Sequence, residues 1–166
     1  MDETLLKPGA AIDIRRAVET FVTKDRFVLN VESPEKILIS VILGDFLKWF
    51  ADKRETPLSE STVRYYELQR NAGDQTILAE LGGEAKAETT LAEVFWLLDR
   101  QKQGEAGILA VNGWGNIFYV RDAADVLRAV YVHWCDEAWN VEASRIGRPA
   151  EWPIRDRVFV RGSGNG

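Results

Sequence analysis

The 166 residues include one His and one Cys. Both fall in the stretch Val130-Tyr131-Val132-His133-Trp134-Cys135-Asp136-Glu137-Ala138-Trp139-Asn140. Read as a helix, this stretch places His133, Asp136, Glu137 and Asn140 at i, i+3, i+4 and i+7. They form one polar stripe on an otherwise apolar rod. An imidazole and a carboxylate one turn apart can share a proton or bind one metal ion. His133 and Glu137 are therefore the candidate acid–base pair, and Asp136 and Asn140 join them as candidate ligand-binding residues. The competing reading is a plain solvent-facing stripe. With no second His and no Cys pair, neither a metal site nor a cofactor is expected. Cys135 is not expected to act as a nucleophile with His133. At i and i+2 on a helix the two side chains point about 200° apart, and a lone Cys in an apolar stretch more often packs as a small core residue.

A second candidate is the turn Asn112-Gly113-Trp114-Gly115-Asn116. Its glycines permit positive φ and close approach to the backbone. Trp114 at the tip could stack on a ligand or partner, with Asn112 and Asn116 beside it. The alternative is a hairpin loop whose Trp folds back over a sheet. The glycines match neither a dinucleotide fingerprint nor a phosphate-binding P-loop.

A third is the C-terminal set Arg145, Arg148, Arg155, Arg157 and Arg161, with Trp152 and Phe159 interleaved. Guanidinium groups suit bidentate contact with carboxylate or phosphate. Pairing with Glu142, Glu151 and Asp156 is the simpler expectation. The net charge of −5 also argues against sequence-independent binding to nucleic acid, which requires a basic surface.

These residues need elements to position them. Ile14, Val18, Phe21 and Val22 share one helical face, which predicts a helix over 9–24, with a short strand over 26–31 to follow. Ser33-Pro34-Glu35 reads as a helix start, and apolar positions from Leu38 to Phe50 extend that helix to about residue 53. Residues 62–81 read as a hairpin about Asn71-Ala72-Gly73-Asp74, with two short helices as the alternative. Residues 82–89 read as a polar linker. Thr90-Leu91-Ala92-Glu93 is a capping box opening a helix to about residue 103. A hairpin over 107–120, a long helix over 122–146 stopped by Gly147, and a strand over 157–161 complete the chain.

The resulting expectation is one α+β domain over 9–161, an antiparallel sheet built from hairpins and packed against three to four helices. Residues 1–8 are expected to be a loose N-terminus and 162–166 a flexible Gly/Ser tail. Apolar residues make up 46% of the chain and charged residues 28%, a soluble globular composition. The acidic N-terminus without an apolar h-region, and the absence of a run near the ~20 residues of a membrane span, predict a cytoplasmic protein with no membrane partner. Lacking a nucleophile–base or phosphate-loop motif, the chain reads as a non-enzymatic binding module. Its ligand is a protein partner or a small apolar molecule. A small enzyme using His133 and Glu137 is the alternative. The two wide apolar helices, 34–53 and 122–146, also predict a homodimer.

Overall fold

The computed structural model describes residues 4–15 and 19–162. Along the chain come strand β1 (Leu6–Ile14), β2 (Phe21–Val22), helix α1 (Thr23–Arg26), β3 (Ile39–Ile42), α2 (Gly44–Phe50), β4 (Arg54–Glu55), β5 (Ser61–Leu68), α3 (Asp74–Leu81), α4 (Glu84–Ala87), β6 (Glu88–Thr89), α5 (Leu91–Arg100), β7 (Asn116–Arg121), β8 (Leu127–Cys135), β9 (Ala138–Arg145) and β10 (Arg157–Gly162). An eight-stranded sheet runs in the order β1-β5-β10-β7-β8-β9-β3, and β6 adds to β7. The β10–β7, β3–β9 and β6–β7 pairs are parallel, and the rest are antiparallel. Strand β10 covers Asn116–Phe118 of β7, and β6 takes over at Tyr119 and Val120. A separate β2–β4 ribbon lies outside this sheet.

The expected class, an antiparallel sheet of hairpins packed on three to four helices, is overturned. The sheet is mixed and dominates the chain, and the helices are short. The largest correction falls on residues 122–146, which form the hairpin β8–β9 rather than a helix. Its turn is Asp136-Glu137, with φ of 53° and 65°, the two positive dihedrals of a tight hairpin turn. Glycine usually fills these positions, and its absence hides the turn. The period-2 signature is also erased, because successive residues of β8 enter two different cores. Val130 and Val132 pack on one face, and Ala129 and Tyr131 on the other. A strand covered on both sides loses its polar alternation.

Other expectations fail for related reasons. Residues 34–53 divide into β3 and α2, because Ile39–Ile42 joins β9 as the edge strand. Of the expected 9–24 helix, residues to Ile14 belong to β1, and Val18 lies outside the described residues. Strand 26–31 reduces to one bridge between Asn30 and Ile39. The 62–81 hairpin keeps its first arm as β5, while its second arm is α3, in line with the helix propensity of its Leu, Ala and Glu. The 82–89 linker contains α4 and β6. Residues 107–115 form a loop rather than a strand. The N-terminus is tied down at Leu5 and Leu6, which are buried, while residues 1–3 and 163–166 lie outside the description. The capping box does form: Thr90 accepts from the Glu93 N–H, and the Glu93 carboxylate accepts from Thr90 N–H.

The sheet is buried on both faces. Helices α2 and α5 close one face, where Phe46, Phe50, Leu91, Val94, Leu97 and Leu98 meet Phe118, Val120, Val130, Val141 and Phe159. The other face is closed by α3, Ala87 of α4 and Trp152 of the loop before β10, against Ile117, Tyr119, Ala129 and Val158. No described helix is long and apolar enough to cross a membrane.

Candidate functional site

Strand register decides which sequence candidates meet. Asn116 opens β7 opposite Val132 of β8. The loop before Asn116 and the turn after Cys135 therefore leave the sheet at the same end. Asn112, Trp114 and Asn116 thus lie at the same end as His133, Asp136, Glu137 and Asn140, although no helix carries them. His133 and Asn140 are cross-strand partners and so share a sheet face. Asp136 and Glu137 sit exposed in the turn itself.

The roles of these residues differ from the expected ones. Asn116 is fully buried, and its side chain is structural. Its Nδ2 donates to Ala110 O and Val132 O, and its Oδ1 accepts from Ala110 N–H. It ties the 107–115 loop to the sheet. Gln101 holds the same loop from α5's end, accepting from Leu109 N–H and donating to Leu109 O. A third anchor is Asp156, 0% exposed, whose Oδ1 accepts from Gly115 N–H at 2.9 Å. Gly115 is required at that point, since a Cβ there would collide with the Tyr131 hydroxyl.

The loop so anchored presents Trp114, partly buried, at a cleft of about 350 Å³. The cleft lies where β5 ends and β10 begins, and is lined by Asn112, Trp114, Glu67, Gln69, Arg155 and Arg157. The Arg155 guanidinium stands 5.8 Å from the Trp114 ring centroid, within cation–π range. Arg155 is exposed and has a φ of 79°. Arg157 is committed elsewhere: its Nη1 donates to Ile108 O at 2.6 Å, and its guanidinium lies 4.2 Å from the Tyr65 ring. Arg155 is thus the freer cation of the two.

From the Asp156 anchor a row of stacked groups runs toward the opposite end of the sheet. Arg148 sits 3.6 Å above the Trp152 ring. Trp152 stacks on Tyr131 at 5.0 Å, and Tyr131 meets His133 at 5.2 Å. The imidazole Nδ1 is buried without a hydrogen-bond partner, as is Asp156 Oδ2. Burial pushes the Asp156 carboxyl above its ordinary range, opposed by the Gly115 N–H and by Tyr131, His133 and Arg148. Burial also pushes the Tyr131 phenol up, reinforced by Asp156 and Glu142. His133 therefore neighbours Tyr131 and Asp156, whereas Glu137 stands out in the turn with no hydrogen bond to it among the described residues. Sequence placed Arg155 and Asp156 only in a C-terminal arginine set and its expected ion pairs; their approach to Trp114 and Gly115 is set by the β10–β7 pairing. Among the described residues, no group of three or more His, Cys, Asp or Glu is placed to hold a metal ion. Cys135 is free and exposed rather than a core residue.

Comparison with protein-family models, curated proteins and solved structures gives no match, so the functional reading rests on this chain's own chemistry.

Proposed function

We propose that the protein is a non-enzymatic binding module that seats a segment of a protein partner at the Trp114 end of its sheet. One observation carries the reading: Trp114, on a loop held by three buried side-chain anchors, shares the rim of a cleft with the exposed Arg155 guanidinium. Aromatic rings and Arg dominate interface hot spots, and a pre-ordered loop loses little entropy on binding. The polar lining favours a peptide segment over a small apolar molecule. The test is to place a photo-crosslinking residue at position 112, identify the captured partner, and measure its affinity for the purified protein. Trp114→Ala is expected to weaken binding by about tenfold or more, the usual effect of losing a hot-spot ring. Equal affinity for the variant would overturn the reading.

The enzymatic alternative has less support, because His133 and Glu137 do not meet. A catalytic role would have to pair His133 with Tyr131 and Asp156 instead. Self-association is supported at part of one expected stretch, residues 34–53, though as an edge strand and a short helix rather than one long helix. Val41, Leu43 and Leu47 are exposed along edge strand β3 and α2, with Leu29 and Val31 exposed across the Asn30–Ile39 bridge. An edge strand covered, among the described residues, only at Ile39 and flanked by exposed apolar side chains favours pairing with another copy. Sedimentation equilibrium is expected to give a dimer that Leu47→Glu dissociates. An 18.8 kDa species at micromolar concentration would remove the idea.

A further inference from the structure

At the end of the sheet remote from Trp114, a cleft of about 870 Å³ opens beside β9, past the point where β3 stops pairing. Its walls carry Lys48 of α2, Arg128 of β8, Arg145 of β9 and Arg148 of the following loop, against a single lining carboxylate, Asp45. The arrangement is costly in isolation. Arg128 and Arg145 are directly opposed in the β8–β9 ladder, and like charges so placed destabilise a sheet. Asp122 relieves only Arg128, at 2.9 Å, while the same guanidinium lies 3.8 Å from the Trp49 ring. Lys48 and Arg145 are exposed and have no ion pair among the described residues. Arg148, whose guanidinium is held against Trp152, has its Nε buried without a hydrogen bond.

We propose that this cleft binds a small ligand carrying two linked phosphate groups. Such a ligand supplies negative charge for the four cations that line the cleft. Guanidinium forks match the geometry of phosphate oxygens. Trp49 and Trp152 hold Arg128 and Arg148 from behind, so little side-chain entropy is lost on binding. The net charge of −5 opposes an extended polyanion, which would run beyond the basic cleft onto an acidic surface. The site is independent of the Trp114 cleft and stands or falls separately.

The test is calorimetric titration of the full chain with sodium pyrophosphate at constant ionic strength. Saturable binding is expected, and the double charge reversal Lys48→Glu with Arg145→Glu is expected to weaken it about tenfold or more, as loss of charge-assisted hydrogen bonds does. Both side chains are exposed and Arg145→Glu removes a like-charge pair, so an unfolding midpoint at or above the parent's verifies that the variant is folded. Arg155→Glu, in the other cleft, is expected to leave pyrophosphate affinity unchanged. Three results would each overturn the proposal. One is no saturable heat at millimolar pyrophosphate. The second is binding that survives the double reversal. The third is tighter binding of a single-stranded DNA oligomer or of phosphatidylserine vesicles than of pyrophosphate.

Discussion

Each end of the sheet is tied by a buried aspartate, and the two aspartates are used differently. At the Arg145 end, Asp74 begins α3 and is fully engaged. It accepts from the Tyr119 hydroxyl at 2.8 Å, Trp152 Nε1 at 2.7 Å and Gly147 N–H at 3.0 Å. At the Trp114 end, Asp156 accepts from Gly115 N–H through one oxygen, and its other oxygen is buried without a hydrogen bond. Both residues are almost completely inaccessible. A satisfied buried carboxylate joins three parts of the chain and rigidifies them. A half-satisfied one holds its loop but retains a net cost of burial, which Tyr131, His133 and Arg148 offset only in part. The difference teaches that the basic cleft rests on a rigid floor, while the Trp114 loop is held at some cost to stability, as functional loops often are.

The largest expected effect tests the Asp74 anchor. Asp74→Ala leaves a buried Tyr hydroxyl and a buried indole N–H without their acceptor, at about 1–3 kcal/mol each, for a total of roughly 2–6 kcal/mol in urea unfolding. A loss below ~1 kcal/mol would mean that the three donors find other partners and that the anchor is not structural.

The two tryptophans sharpen the contrast. Trp152 is 2% exposed and joins the stack between Arg148 and Tyr131, so Trp152→Ala is expected to cost about 3–5 kcal/mol. Trp114 is only partly buried at its cleft, and its truncation is expected to cost about 1 kcal/mol or less. Comparable losses would make Trp114 a core residue and undercut its role in recognition.

A pH titration separates the aspartates by sign. The raised pKa of Asp156 means that the folded state holds its proton more tightly than the unfolded chain. Its contribution is complete below the ordinary value of about 3.8 and is lost as pH rises through the folded value. Asp122, in the β7–β8 turn of the Arg145 end, behaves oppositely. Burial pushes its carboxyl up, but the Val126 and Ala124 N–H groups and Arg128 outweigh burial and hold it low. Its contribution is present above the ordinary value and is lost as pH falls through the folded value. Asp156→Asn keeps one oxygen acceptor for Gly115 and removes the buried charge. It is expected to raise stability near pH 7 by on the order of 1 kcal/mol and to flatten the decline on the neutral side. A variant that is less stable at pH 7 would show that the carboxylate's charge stabilises the loop after all.

Some of this was legible in residue order because the signals are local. The Thr90–Glu93 capping box, the strand over 157–161, the first arm of 62–81 and the turn-like character of 112–115 depend on neighbours within a few positions. Trp114 and His133 read as two separate candidates in sequence, and only the β7–β8 register puts them at one end of the sheet. Residues 122–146 hide their hairpin because β8 is buried on both faces, and because Asp136-Glu137 makes its turn without glycine. The clues that survive are the β-branched Val130 and Val132 and, in β9, the alternation of Trp139, Val141 and Ala143 with Asn140, Glu142 and Ser144. Only tertiary structure decided the rest. The parallel pairing of β10 with β7 brings Asp156 to Gly115 and Arg155 to Trp114, across some 40 residues of chain. The β8–β9 register sets Arg128 against Arg145, and α2 supplies Lys48 from much earlier in sequence. Local propensity carries no record of such contacts, because they follow from which strands bury their faces together rather than from the preference of any one segment.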